Sequence, residues 1–345
     1  MRILLGISGG LDSTYCAALL KERGHTVEGA VLVFGDHTDT AAAQLSCREL
    51  GIPLHIIDCR DAFEKYVISD FAENYKAGRT PNPCTVCNRY VKMEYLYRAC
   101  VEMGFDRYAT GHYANVNYDA KSSRYYVSKG LDARKDQSYM LWKMTQEQLS
   151  RLVTPLSQLS KEEVRQSAAL LGLSASGSKE SQDICFIPRG SSYVDFVEER
   201  LGISPAGEYV DKEGNKIGMH KGILHYTVGQ RKGLGASFGR HMFITRISPE
   251  DNKITLCEER DTYAKGVSVS ALSFQRIAPV EEGELELSVK IRYAAPPVPC
   301  RVRVKDGRAE VELSTAVRTP APGQSAVFYT DGDLCLGGVI DKVYY

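Results

Sequence analysis

The feature that most restricts the fold is a change of repeat near residue 203. Before it, buried strand-like segments at 2–7, 27–34, 54–59 and 107–113 alternate with helical ones at 13–23, 39–50, 63–76 and 89–103. Glycines at 24, 51, 78 and 104 stop the helices. Strands alternating with helices of this length build βαβ units and a parallel sheet. Ser160 and Glu163 form a capping box for a further helix that stops at Gly172. The small, polar stretch 174–181 then predicts a mobile loop.

After residue 203 the period drops to two. Segments 301–305 and 308–313 flank Asp306-Gly307, and 328–336 carries Asp331-Gly332 in the same role. Segments 243–247 and 253–256 flank another turn. Alternation around Asp-Gly is a hairpin signal, and several short strands at regular spacing predict small barrels. The expected architecture is an α/β domain over 1–202, then two small all-β barrel-like domains over 203–270 and 271–345.

Composition narrows the class. Apolar residues at 43% and charged residues at 25% describe a globular chain and exclude disordered, collagen-like and coiled-coil proteins. Forty-three cations balance forty-three acids, so a uniformly basic nucleic-acid binder is excluded. The balance is uneven, however: residues 212–246 hold seven cations against Glu213 alone, interleaved with seven glycines. Such a segment suits a phosphate backbone, because glycine permits close approach and Lys or Arg neutralises charge. Ten cysteines in 345 residues are too sparse for a secreted disulfide framework. With no leader-like start and no long apolar run, a reduced, cytoplasmic protein with no membrane contact is expected.

Three motifs carry chemistry. Gly6-Ile7-Ser8-Gly9-Gly10-Leu11-Asp12-Ser13 joins the first strand to the first helix. Glycines for a tight turn, followed by a helix N-terminus that Asp12 or Ser13 could cap, suit a pyrophosphate. The loop has neither the Gly-Lys-Ser/Thr ending of a Walker loop nor the third glycine of a dinucleotide fingerprint. Next, Asn82-Pro83-Cys84-Thr85-Val86-Cys87 precedes the helix expected from about Arg89. A thiol just before a helix N-terminus is acidified. A zinc site would need two more ligands, and no second CxxC exists. Finally, Cys185 follows the loop at 174–181 and could approach a partner thiol.

The string Ser8–Ser13 resembles the PP-loop of N-type ATP pyrophosphatases, which cleave ATP to AMP and pyrophosphate. Together with Lys135-Asp136-Gln137, Tyr226-Thr227-Val228-Gly229-Gln230-Arg231-Lys232-Gly233-Leu234 and Pro322-Gly323-Gln324, the motifs resemble the tRNA-uridine 2-sulfurtransferases, the MnmA-type 2-thiouridylases, from Ser8 to Gly338. That resemblance implies a Rossmann-like PP-loop domain followed by β-barrels. It also implies ATP with Mg2+, and thiolation at C2 of the wobble uridine of tRNAs for Lys, Glu and Gln. It places Gly6–Ser13, Leu32 and Gly111 at ATP, Cys87 as nucleophile and Cys185 as persulfide carrier. Asn82, Pro83 and Cys84 would meet the target base. His112, Lys135, Asp136, Gln137, Arg292, Tyr293 and Gln324 would contact tRNA, joined by Arg231 and Lys232 from the basic segment. A sulfur-donor protein is the implied partner.

The chain departs from the family at Cys84, where many members carry Asp. Cys84, Cys87 and Cys185 therefore leave open a second sulfur route, a [4Fe–4S] cluster with one free iron. The PP-loop alone also fits another adenylating tRNA-modifying enzyme or a ligase.

Overall fold

The computed structural model describes residues 1–36, 38–177, 184–188 and 190–345. The first region contains strands β1 (Arg2–Gly6), β2 (Thr26–Val33), β3 (Leu54–Asp58), β4 (Arg107–Ala109), β5 (Ala114–Asp119), β6 (Arg124–Lys129) and β7 (Leu152–Val153). Strands β3-β2-β1-β4-β7 form a parallel sheet in that order. The expected parallel α/β domain is therefore present. The fourth strand is shorter than expected: β4 ends at Ala109, and Thr110-Gly111-His112 follow without regular structure, the Thr110 amide still donating to the Val153 carbonyl at 3.2 Å.

The middle region holds β8 (Gly207–Val210), β9 (Lys216–His220), β10 (Phe243–Ser248) and β11 (Lys253–Cys257), in the order β10-β11-β8-β9. The last region holds β12 (Tyr263–Phe274), β13 (Glu282–Lys290), β14 (Val298–Lys305), β15 (Arg308–Arg318), β16 (Ser325–Thr330) and β17 (Asp333–Tyr344). They run β12-β15-β14-β13-β16-β17, and β12 pairs again with β17, closing a six-stranded barrel. Asp306-Gly307 and Asp331-Gly332 take positive φ at both central residues, as a tight hairpin turn requires. The expected boundary at 270 falls inside β12.

One pairing crosses the expected domain order. The hairpin β5–β6, from the first region, joins the barrel sheet through β17 at Ser128↔Asp333. Fully buried Gln275 fastens this junction. Its amide nitrogen donates to the Leu141 and Trp142 carbonyls, and its oxygen accepts from the Val127 amide at 3.0 Å. Trp142 packs where Gly337 lacks a side chain, since a Cβ there would stand 2.6 Å from the indole. One apolar core accordingly runs from Val127 and Trp142 into Val327, Tyr329 and Leu334.

Candidate active site

In a parallel sheet, ligands bind beyond the carboxyl ends of the strands where the order reverses. Here that point lies between β1 and β4. A cavity of about 320 Å³ sits there. Gly6, Ile7, Ser8, Asp12 and Ser13 line it after β1, Thr110, Gly111 and His112 after β4, and Leu32, Phe34, Thr38 and Asp39 around the end of β2. Lys92, Leu96 and Gln137 close it. Of the expected ATP residues, Gly9, Gly10 and Leu11 do not line the cavity but shape the turn.

Gly9 takes φ +78°, and a Cβ there would lie 2.3 Å from the Ala42 carbonyl carbon. The helix Leu11–Glu22 begins with Gly10 as its N-cap and no side-chain cap. The expected capping by Asp12 or Ser13 is therefore corrected. The Ser13 hydroxyl instead donates to the Gly10 carbonyl and accepts from the Ser8 amide at 3.2 Å, which closes the loop on itself. Both Asp12 oxygens accept from the Lys161 ammonium at 2.7 Å, and Oδ1 also accepts from the Tyr113 hydroxyl at 2.7 Å. The first turn thus keeps its free N–H groups for an anion, while a fixed cation holds its carboxylate.

The cysteine motif starts a helical run earlier than expected. Asn82 is the N-cap, Pro83 occupies the first turn, and Pro83–Cys87 is α-helical. A π-turn follows at Asn88–Lys92, and Met93–Glu102 resumes the α-helix. Cys87 is therefore buried inside the run rather than ahead of it, which removes the expected N-terminal acidification. Burial pushes its thiol up to about 11, although Lys92 pulls it down. Burial also raises the thiol of Cys185, against the pull of Lys92, even though that residue keeps an exposed surface. The expected acidification of Cys87 is therefore corrected, and Cys185 is raised as well. Cys84 is exposed. The segment 178–183, with most of the motif before Cys185, lies outside the described residues. Of the stretch expected to be a mobile loop, Ser174–Gly177 forms a 3-10 turn.

Sequence reasoning missed Lys92. Five residues along an α-helix rotate a side chain by about 500°, to the far side. The π-turn winds less per residue and restores the alignment of Cys87 with Lys92. The Lys92 charge acts on Cys84, Cys87 and Cys185. The same side chain lines the cavity. Only the pairing of a lysine with a π-turn could have flagged it, and π-turns carry no strong sequence signature.

The loop before Cys84 is held by the barrel. The Thr80 amide donates to the Pro322 carbonyl at 2.8 Å, and the Gln324 amide nitrogen donates to the Thr80 and Pro81 carbonyls at 3.1 and 3.0 Å. A Cβ at Gly323 would come 2.9 Å from the Thr80 oxygen, and one at Gly78 would come 2.9 Å from the Ile247 oxygen of β10. All three regions therefore meet at 78–81.

The residues assigned to tRNA are spread more widely. His112 lines the cavity and bonds Thr110 at 2.9 Å; burial, aided by Lys92, drives its imidazole down to about 3. Gln137 also lines the cavity and accepts from the Tyr113 amide. Asp136 is buried and accepts from the Gly130 and Ser138 amides, so it sets the turn that presents Lys135. Arg292 donates to the Thr319 carbonyl, and Tyr293 stands beside it with Lys290 5.6 Å from its ring. In the basic segment, Lys212, Lys216, Arg240 and Arg246 are paired with Asp261, Glu208, Glu258 and Glu250. Among the described residues, Lys221, Arg231 and Lys232 make no ion pair, and all three are exposed.

Comparison with known proteins agrees with this layout. Residues 1–189 match the family model described as tRNA methyl transferase HUP domain, 194–258 the tRNA methyl transferase PRC-barrel domain, and 264–340 the aminomethyltransferase beta-barrel domain. A protein of Acetivibrio thermocellus named tRNA-specific 2-thiouridylase MnmA is 41% identical, with 98% of each chain covered. The chain belongs to the tRNA-specific 2-thiouridylase family. A relative of the same name from Geotalea uraniireducens is 40% identical over 98% of this chain and 94% of its own. Family membership makes it an ATP-using PP-loop enzyme. All ten cysteines are free thiols. No helix among the described residues is long and apolar enough to cross a membrane.

Proposed function

We propose that this enzyme thiolates C2 of the wobble uridine in tRNAs for Lys, Glu and Gln, using ATP and a sulfur-donor protein that carries a persulfide. One observation supports it above the others: the helical run Pro83–Glu102 puts Lys92 and Leu96 on the wall of the cavity and Cys84 and Cys87 at its other end. Nucleotide chemistry and thiol chemistry then act on one atom group.

The uridine O2 is a poor leaving group. Its attack on the α-phosphorus of ATP expels pyrophosphate and leaves C2 bonded to an oxygen that departs with AMP. The terminal sulfur of a Cys185 persulfide adds to C2 and AMP leaves. The Cys87 thiolate then attacks the Cys185 sulfur, which frees 2-thiouridine and forms a Cys87–Cys185 disulfide for an external thiol to reduce. Asn82, Pro83 and exposed Cys84 form the rim that receives the flipped base. Mg2+ accompanies the phosphates of ATP; Asp39 is the carboxylate on the cavity wall that would face it, Asp12 being held already by Lys161.

The alternative cluster route has less support. The Lys92 charge acts on Cys84, Cys87 and Cys185, and among the described residues no group of three His, Cys, Asp or Glu side chains is arranged to hold a metal. The test is nucleoside mass spectrometry after incubating purified enzyme with ATP, unmodified tRNA and a persulfide donor. ATP-dependent 2-thiouridine is expected; tRNA-dependent AMP release without sulfur incorporation would favour a different adenylating enzyme.

A further inference from the structure

The cavity and the cysteines share one charged group. Lys92 lines the cavity with Ser8, Ser13 and Thr110. Among the described residues its ammonium has no hydrogen-bond or ion-pair partner, whereas Asp12 on the same wall is held by Lys161. Its strongest charge interactions run to Cys87, then Cys185, then Cys84. Half-buried and without an ion-pair partner, this ammonium is open to an anion that completes the site. The π-turn that aligns it with Cys87 is itself a local irregularity of the kind that collects at functional sites.

We propose that Lys92 is a catalytic residue of both half-reactions, its ammonium meeting the nucleotide phosphate during adenylation and the reacting sulfur during transfer. In the first step the O2–phosphorus bond forms and pyrophosphate leaves with the electron pair. In the second the carbon–sulfur bond forms and AMP leaves. Lys92 neither gains nor loses a proton; it stabilises an anion on each side in turn. As phosphate approaches, it draws the ammonium from the thiols, so nucleotide occupancy sets the strength of the sulfur nucleophile. Arginine could supply the same charge to a phosphate. Methionine would keep the volume and remove the charge.

This assignment rests on the thiolation reading, but its test needs no thiolation. AMP and adenosine binding are measured by calorimetry in the wild type, Lys92→Met and Lys92→Arg, and iodoacetamide labelling of Cys185 is followed by mass spectrometry. Lys92→Met should weaken AMP about tenfold or more, leave adenosine within about twofold, and slow Cys185 labelling about tenfold, whereas Lys92→Arg should keep AMP within about threefold. Equal losses of AMP and adenosine, or unchanged Cys185 labelling, overturn the proposal. Should Lys92→Met fail to fold, the wild type decides: AMP must slow Cys185 labelling more than adenosine does, and equal rates overturn it. Wild-type enzyme that behaves as expected here yet makes no 2-thiouridine would refute the thiolation reading, and with it the role in sulfur transfer, while the contact of Lys92 with phosphate and thiol would stand.

Discussion

The two loops that enter helices at the active site are built in opposite ways. The loop 6–13 is ordered from within: Ser13 closes it, Gly9 fits beneath Ala42, and Lys161 fixes Asp12. The loop 78–83 is ordered from outside, by Ile247 of the middle region and by Pro322, Gly323 and Gln324 of the barrel. The nucleotide half-site thus belongs to one domain, and the sulfur half-site to the whole molecule. Lesions far from ATP should therefore cost sulfur transfer first.

The largest contrast should come from Cys87→Ser and Cys185→Ser. Each should reduce thiolation by about a thousandfold or more, since no other group replaces the thiolate, while AMP binding stays unchanged. Retained thiolation by either variant would end the two-cysteine assignment. Lys161→Met leaves the Asp12 carboxylate without its cation and should cost about 2–3 kcal/mol, with weaker AMP binding and normal labelling of Cys185. Calorimetry and thermal melts would measure both. Gln324→Ala strips two carbonyls of their donor and should cost about 1–2 kcal/mol. Its thiolation rate should fall about tenfold with AMP affinity intact; equal losses of both would erase the proposed difference between the loops.

Two smaller effects sharpen the comparison. Reversing Arg231 and Lys232 to Glu should weaken tRNA binding and reduce its salt slope by about two, because each unpaired cation neutralises roughly one phosphate. Filter binding across salt concentrations would show it, and an unchanged slope would return the segment to ordinary solvated surface. His112 is held neutral down to about 3 in the folded protein, below its ordinary value of 6.5. Between those values the unfolded chain binds the extra proton, so stability should fall as pH drops from 6.5 toward 3. His112→Gln should flatten that limb in denaturant titrations at successive pH values.

Much of the fold was legible because it rests on local signals. Period, stop glycines, the Ser160–Glu163 box and the Asp-Gly turns all act within a few residues, and each is present. The place of hairpin β5–β6 was not, because β6 is joined to β17 and to Gln275, far along the chain. The cysteines were legible as a motif, but their environment was not. Burial of Cys87 depends on the π-turn and on Asn88 donating to the Met140 carbonyl, and neither follows from CxxC spacing. Lys161 and Lys92 were overlooked for one reason: a lysine on a polar helix reads as solvated surface until its surroundings are known.

The bond from Gln324 to Thr80 joins groups 244 residues apart in sequence. On the ribosome, the first domain can emerge and assemble its nucleotide loop while the barrel is still being made. The loop that presents Cys84 and Cys87 cannot be seated until the last strands have left the exit tunnel, and such distant closures form slowly. A nascent or truncated chain would therefore acquire the capacity to hold ATP before it could direct a reactive sulfur, so its more hazardous chemistry waits for a finished protein.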